Sequence, residues 1–361
     1  MHVLFDAVAA RTGSAAIVVG HLIRGWREAY PDDRLTVLTG PDGPDFEVAE
    51  GALLHRVTPP VPGPPGQLWL RSQAVRRTAR ELGVDAVVSG VPASGLFGSK
   101  APRGVILYDL RHELRPEQFS AKTRAARRLS WWWSIRRADG VYTISERTLD
   151  DFRDRHPRLA HKGVAAQLGS DHAEAWRRSG DAAPSPDERP YALAFGHFGN
   201  KNAHAVIRAW QPFSAVHPEW TLRLVGMGSS DRASATQLVH ELDLGNHVEL
   251  APWLDDDAFA ATFAGASMVV FPSDFEGYGL PAAEAMRLGI PVVVSPDAAL
   301  KEVTGGHAAV ARSVGAEDLA AAMQEALTYD EAHLAAGVEF ARRFTWARTA
   351  RTVRDHLLPA T

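Results

Sequence analysis

The chain has 361 residues, 45% of them hydrophobic and 23% charged, with a formal charge of −4 and a pI near 6.4. That length suits two domains with substantial cores, and the acidic balance argues against a nucleic-acid partner, which selects basic surfaces. The absence of cysteine excludes disulfides, thiolate metal sites and cysteine nucleophiles, and no apolar stretch reaches the ~18 residues that cross a bilayer.

The opening Met1-His2-Val3-Leu4-Phe5-Asp6 lacks the basic region and long apolar core of a signal peptide, so the expected location is cytoplasmic. Residues 3–8 read as a first strand, followed by the turn Arg11-Thr12-Gly13-Ser14, a helix over 15–30 and a strand over 35–39. Residues 59–65 carry five prolines, which cannot donate to a ladder, and read as a stiff loop. Further strands are expected at 86–89, 104–108 and 140–144, after which Ser145 can cap a helix over 146–155. Residues 177–190 are polar, hold three prolines and read as a linker. The alternation restarts with strands at 191–195, 221–225, 247–250, 267–271 and 291–295. Short apolar strands alternating with helices indicate an α/β fold with parallel sheets.

The most informative stretch follows the strand at 267–271: Pro272-Ser273-Asp274-Phe275-Glu276-Gly277-Tyr278-Gly279-Leu280-Pro281-Ala282-Ala283-Glu284-Ala285-Met286. A strand leading through a glycine-rich turn into a helix start suits anionic groups, because glycines admit a close ligand and the helix dipole favours negative charge. Two carboxylates, Glu276 and Glu284, flank the turn. Carboxylates repel phosphate, so their natural partners are sugar hydroxyls.

This stretch resembles the Glu-x7-Glu signature of the retaining family-4 nucleotide-sugar glycosyltransferases. Both glutamates, the glycines of Glu-Gly-Tyr-Gly, and Leu-Pro before Glu-Ala-Met stand in register. The resemblance implies the GT-B fold: two Rossmann-like domains facing a central cleft, with a C-terminal helix crossing back to the N-terminal domain. On that reading residues 1–176 bind the acceptor, 190–343 bind the nucleotide sugar, and 344–361 return to the first domain. Glu276 would hold the transferred hexose and Glu284 the ribose, with Gly277, Tyr278, Gly279 and Leu280 lining the donor site.

The resemblance extends to Phe195-Gly196-His197-Phe198-Gly199-Asn200-Lys201-Asn202. The family has an arginine and a lysine here that grip the donor diphosphate. Lys201 matches the lysine, whereas His197 stands at the arginine position, replacing a permanent charge by a titratable one. Gly13 matches one glycine of the family's first loop. In Tyr108-Asp109-Leu110-Arg111-His112, tyrosine replaces the family's histidine, and Asp109 and His112 are candidate substrate contacts.

Three features imitate other sites. Asp255-Asp256-Asp257 has a metal-binding spacing but precedes a helical stretch, where aspartates cap. Gly226-x-Gly228 lacks the third glycine of a dinucleotide fingerprint. Trp131-Trp132-Trp133, flanked by Arg127, Arg128, Arg136 and Arg137, could touch anionic lipid, but core packing is the expectation.

The implied reaction is retaining transfer of a hexosyl group from a nucleotide diphosphate sugar, such as GDP-mannose or a UDP- or dTDP-hexose, to a hydroxyl of a glycan, lipid-linked glycan or natural product. Residues 9–14 contain no histidine, the base that inverting GT-B enzymes place there. No metal or cofactor is expected if Lys201 and helix amides neutralise the diphosphate. The partners are the donor and the acceptor, with peripheral contact to the inner membrane face. The alternatives are a non-catalytic sugar-nucleotide binder and a two-domain epimerase.

Overall fold

The computed structural model describes residues 1–11, 13–43, 51–179, 189–197 and 199–358. Residues 180–188 of the expected linker, Thr12 of the first turn and Phe198 of the later one lie outside the described residues. Two compact units divide the chain, Met1–Gly169 with Phe344–Thr361, and Ser170–Arg343. The second unit starts before the boundary at 176 read from the sequence. Packing explains this: Trp176 lies edge-on to Phe259 at 5.8 Å and against Phe263 at 5.1 Å, while Glu174 accepts a 2.8 Å bond from Arg287.

The first unit is built on seven parallel strands: β1 (His2–Asp6), β2 (Arg34–Thr39), β3 (Ala52–Arg56), β4 (Ala86–Ser89), β5 (Arg103–Leu107), β6 (Gly140–Thr143) and β7 (Gly163–Ala165), in the order β3-β2-β1-β4-β5-β6-β7. Strands β1 and β4 are near-continuous apolar runs because helices cover both faces of a parallel sheet. Ser145 caps the Glu146–Arg155 helix by accepting from Thr148 N–H at 3.0 Å. The last helix, Trp346–Leu357, belongs to this unit. It lies so close to the Ser14–Ala29 helix that a Cβ at Gly25 would overlap the Trp346 backbone. Arg354 bonds Asp33 at 3.1 Å, and Thr349 donates to the Gln167 carbonyl at 2.6 Å.

The second unit has six parallel strands: β8 (Tyr191–Phe195), β9 (Thr221–Val225), β10 (Val248–Leu250), β11 (Met268–Phe271), β12 (Val292–Val294) and β13 (Ala309–Val310), in the order β10-β9-β8-β11-β12-β13. Its core gathers Trp210 and Phe213 of the Ala203–Val216 helix with Leu222, Leu224 and Met323. From β8 the chain steps outward through β9 and β10, then returns to β11 on the other side. The junction between β8 and β11 is therefore the switch point, outside whose carboxyl ends such sheets bind ligands.

Strands β3, β7 and β13 were not anticipated; each lies at a sheet edge and is short or half-exposed. The proline run is only partly a loop. A helix begins at Gly63, with proline in its first turn, where a missing N–H leaves no intrahelical bond unmade.

Candidate active site

In the second unit, the register Met268↔Ala192, Val270↔Ala194 sets the carboxyl ends of β8 and β11 side by side. The loops that leave them are tied together. Asn202 adopts a left-handed conformation, φ 56°, and donates from Nδ2 to the Pro272 carbonyl at 2.9 Å. Asp274 N–H bonds the Asn200 carbonyl at 3.2 Å. Asparagine tolerates this backbone region better than branched residues do.

These ties bring Lys201 to Glu276. The ammonium pairs directly with the Glu276 carboxylate and lies 4.2 Å from the centre of the Phe271 ring. Both side chains are largely shielded, 9% and 15% exposed. Asn200 Nδ2 reaches the same carboxylate oxygen at 3.2 Å and the Phe275 carbonyl at 3.1 Å. The Asn200 side-chain oxygen is buried without a hydrogen-bond partner. From the other side, Asp297 caps the Ala298–Thr304 helix and accepts from Glu276 N–H at 3.4 Å.

The glycine turn then enters the Leu280–Arg287 helix through Gly279, whose φ of 107° is open only to glycine; a Cβ there would also meet Leu300 at 2.5 Å. Tyr278 is buried beneath the turn, and Gly277 and Leu280 are half-buried on it. Ala282 and Ala283 N–H both bond the Gly279 carbonyl, so the helix closes its first turn on itself. One turn further, Glu284 is 5% exposed and bonded to His172 Nε2 at 3.0 Å. The His172 ring lies edge-on to Trp176 at 5.4 Å.

His197 follows β8 with its ring 5.2 Å from that of Trp253, itself 66% exposed. Burial, reinforced by the neighbouring Lys201 ammonium, pushes the imidazole down to about 4. In the free protein it is neutral at physiological pH. The aspartate run takes the capping role read from the sequence: Asp255 Oδ1 accepts from Ala258 N–H at 2.8 Å at the start of the Asp256–Ala264 helix.

Gly13, Asp109 and His112 belong to the first unit. Gly13, with φ 65°, starts the Ser14–Ala29 helix after β1. Asp109 accepts from Arg111 N–H at 2.8 Å, shaping the turn after β5. His112 is 3% exposed, packs edge-on to Trp131 at 4.6 Å, and is pushed down by burial. Tyr108 keeps its hydroxyl buried without a partner, and burial pushes its pKa well above the ordinary tyrosine range. The sequence reading missed His172, Trp253 and Asp297. Only Asn200 carried a signal, standing beside Lys201 in the quoted turn.

Residues 15–166 match the family described as Glycosyltransferase Family 4, and residues 178–343 match Glycosyl transferases group 1. The chain is 30% identical over 332 residues to a D-inositol 3-phosphate glycosyltransferase of Nocardioides sp., covering 81% of this chain and 71% of that one. It is 29% identical over 244 residues to the serotype-specific mannosyltransferase WbdA of Escherichia coli. There it covers 61% of this chain but only 28% of the relative's length. Among solved structures, Anabaena Alr3699/HepE, crystallised with UDP and glucose, superposes with a TM-score of 0.75 at 20% identity over 99% of both chains. Among the described residues no helix is long and apolar enough to cross a membrane. With both halves matched and a relative of this identity and coverage, the chain belongs to the family-4, group 1 glycosyltransferases and has their GT-B fold.

Proposed function

We propose that the chain transfers a hexosyl group from a nucleotide diphosphate sugar to an acceptor hydroxyl with retention at the anomeric carbon. The observation that carries this reading is the shielded Lys201–Glu276 pair at the β8/β11 switch point, with Glu284 on the adjoining helix. A diphosphate entering there offers the ammonium more negative charge than one carboxylate does. Lys201 would pass from Glu276 to the leaving diphosphate, and Glu276, released, would accept hydrogen bonds from hexose hydroxyls. This exchange of partners places a cation where charge develops as the glycosidic bond breaks. Glu284 would take the ribose hydroxyls, with His172 fixing its carboxylate. The acceptor would attack from the face the diphosphate leaves, its proton passing to a leaving oxygen. The chain itself contributes positioning and charge. Lys201 and the start of the Leu280–Arg287 helix would supply the positive charge, so no metal is invoked.

Mannosyltransferases among the relatives make GDP-mannose the first donor to assay, followed by UDP- and dTDP-hexoses. Glycans, lipid-linked glycans and hydroxylated natural products are the acceptor classes. The test incubates the purified chain with each donor and acceptor, with and without a chelator, and reads the anomeric configuration of the product by NMR. An axial donor should give an axial product, insensitive to the chelator. Glu276→Ala should lower turnover by about 10²–10³ while nucleotide still binds. An inverted product would overturn the mechanism. Nucleotide binding without transfer to any acceptor would favour a non-catalytic binder.

A further inference from the structure

The sequence places at least one ring of the Trp131–Trp133 run in the core, and Trp131 takes that place, packed against the cluster that includes Ile135 and Leu149. Only Trp131 is half-buried; Trp132 and Trp133 are 40% and 38% exposed on the Ala121–Arg136 helix, and Leu129 is 62% exposed. The face that packs inward is carried by Trp131, Ser134 and Ile135. Ala125, Ala126, Leu129, Trp132 and Trp133 recur at the spacing of a single helix face, and all five are exposed. A 16-residue helix thus turns an apolar stripe outward, the reverse of what a surface helix normally does.

Charge frames that stripe. Residues 121–138 hold six lysines and arginines and no carboxylate, in a chain whose net charge is −4. Lys122 and Arg136 stand at its two ends. Arg136 and Arg137 lie over the Trp132 and Trp133 rings at 5.1 and 4.0 Å. On one flank, Arg124 and Arg128 line a cavity of about 460 Å³ with Arg155 and His112. His112 is 3% exposed, and neither of its ring nitrogens has a hydrogen-bond partner. Glu113, the carboxylate among the residues lining that cavity, lies 3.3 Å from His156 and 3.6 Å from His112 Nε2.

We propose that this helix docks on an anionic lipid bilayer, with Leu129, Trp132 and Trp133 entering the interface and the arginine-lined cavity taking a lipid phosphate. Tryptophan suits that boundary because its ring is apolar while its N–H can stay hydrated. Arginine matches phosphate through paired N–H groups. A second copy of the same face would oppose cation to cation, so an anionic sheet is the better complement. The proposal stands apart from the transfer chemistry of the second unit.

The test mixes the full chain with vesicles of phosphatidylglycerol and phosphatidylcholine, and with phosphatidylcholine alone, at low and at physiological salt. Co-sedimentation is expected with the anionic vesicles only and should weaken with salt. Arg124→Gln with Arg128→Gln should reduce partitioning about 25-fold, at roughly fivefold per basic residue near the surface. Brominated acyl chains should quench tryptophan fluorescence of the wild type, and Trp132→Ser with Trp133→Ser should remove that quenching. This readout on the unmodified protein separates insertion from surface adsorption and does not depend on a variant folding. No binding to anionic vesicles at low salt, or binding without quenching, would overturn the proposal. So would saturation of the cavity by inorganic phosphate, seen as a shift of His112 resonances, in a protein that ignores vesicles.

Discussion

Lys201→Met removes the cation from a shielded pair and leaves the Glu276 carboxylate behind. Breaking a buried pair from one side costs about 3–5 kcal/mol, because the remaining charge stays desolvated. The Asn200 amide still reaches that carboxylate at 3.2 Å, which favours the lower end, about 3 kcal/mol. Loss of the ammonium from the Phe271 ring, 4.2 Å away, adds up to about 1 kcal/mol. For a unit of this size each kcal/mol moves the melting temperature by about 2–4 °C. The second unit should therefore melt roughly 6–16 °C lower. The decisive comparison is Lys201→Met with Glu276→Gln, which removes the stranded charge while keeping a side chain of the same shape. The double variant should recover most of the loss in calorimetry of the whole chain. Recovery would show that the cost is electrostatic and belongs to this pair. A single variant melting within 2 °C of wild type, or a double variant no more stable than the single, would refute the reasoning.

Two further outcomes follow from the same loops. Glu284→Ala should weaken free nucleotide diphosphate and intact nucleotide sugar alike, and His172→Ala should weaken both by a smaller factor, about fivefold to tenfold, without a matching fall in kcat. Calorimetric titration checks this, and wild-type affinity for the free nucleotide in Glu284→Ala would place the ribose elsewhere. His197 is depressed to about 4 against an unfolded value near 6.5, so the unfolded chain takes up its proton first as pH falls. Its contribution to stability should be full above about 6.5 and decline between there and about 4. His197→Phe should flatten that part of the stability profile; identical profiles would show that the ring is not held neutral.

The strand-to-turn pattern made the architecture legible, because parallel strands buried on both faces write themselves as continuous apolar runs. The Glu276 turn was legible for a related reason: Gly279 at φ 107° and the helix start after it need particular residues at particular offsets. What stayed hidden depended on distance along the chain. His172 is 112 residues from the Glu284 it bonds, and no local spacing announces such a pair. Trp253 gave no signal because one exposed aromatic ring after a short strand resembles any loop residue. The exposure of Trp132 and Trp133 stayed hidden for another reason. Helical periodicity says which residues share a face, but not which face the rest of the fold leaves uncovered.

The seam between the Ser14–Ala29 and Trp346–Leu357 helices has a consequence for synthesis. The first unit is interrupted by the whole of the second, and its closing helix follows the second in sequence. On a ribosome, the face around Gly25 would wait for roughly 300 more residues, on the order of tens of seconds, before its partner emerged. The second unit is continuous in sequence and can close during that interval. The nascent first unit meanwhile carries an open apolar groove, the kind of surface that chaperones hold, and its completion comes after that of the second unit rather than before it.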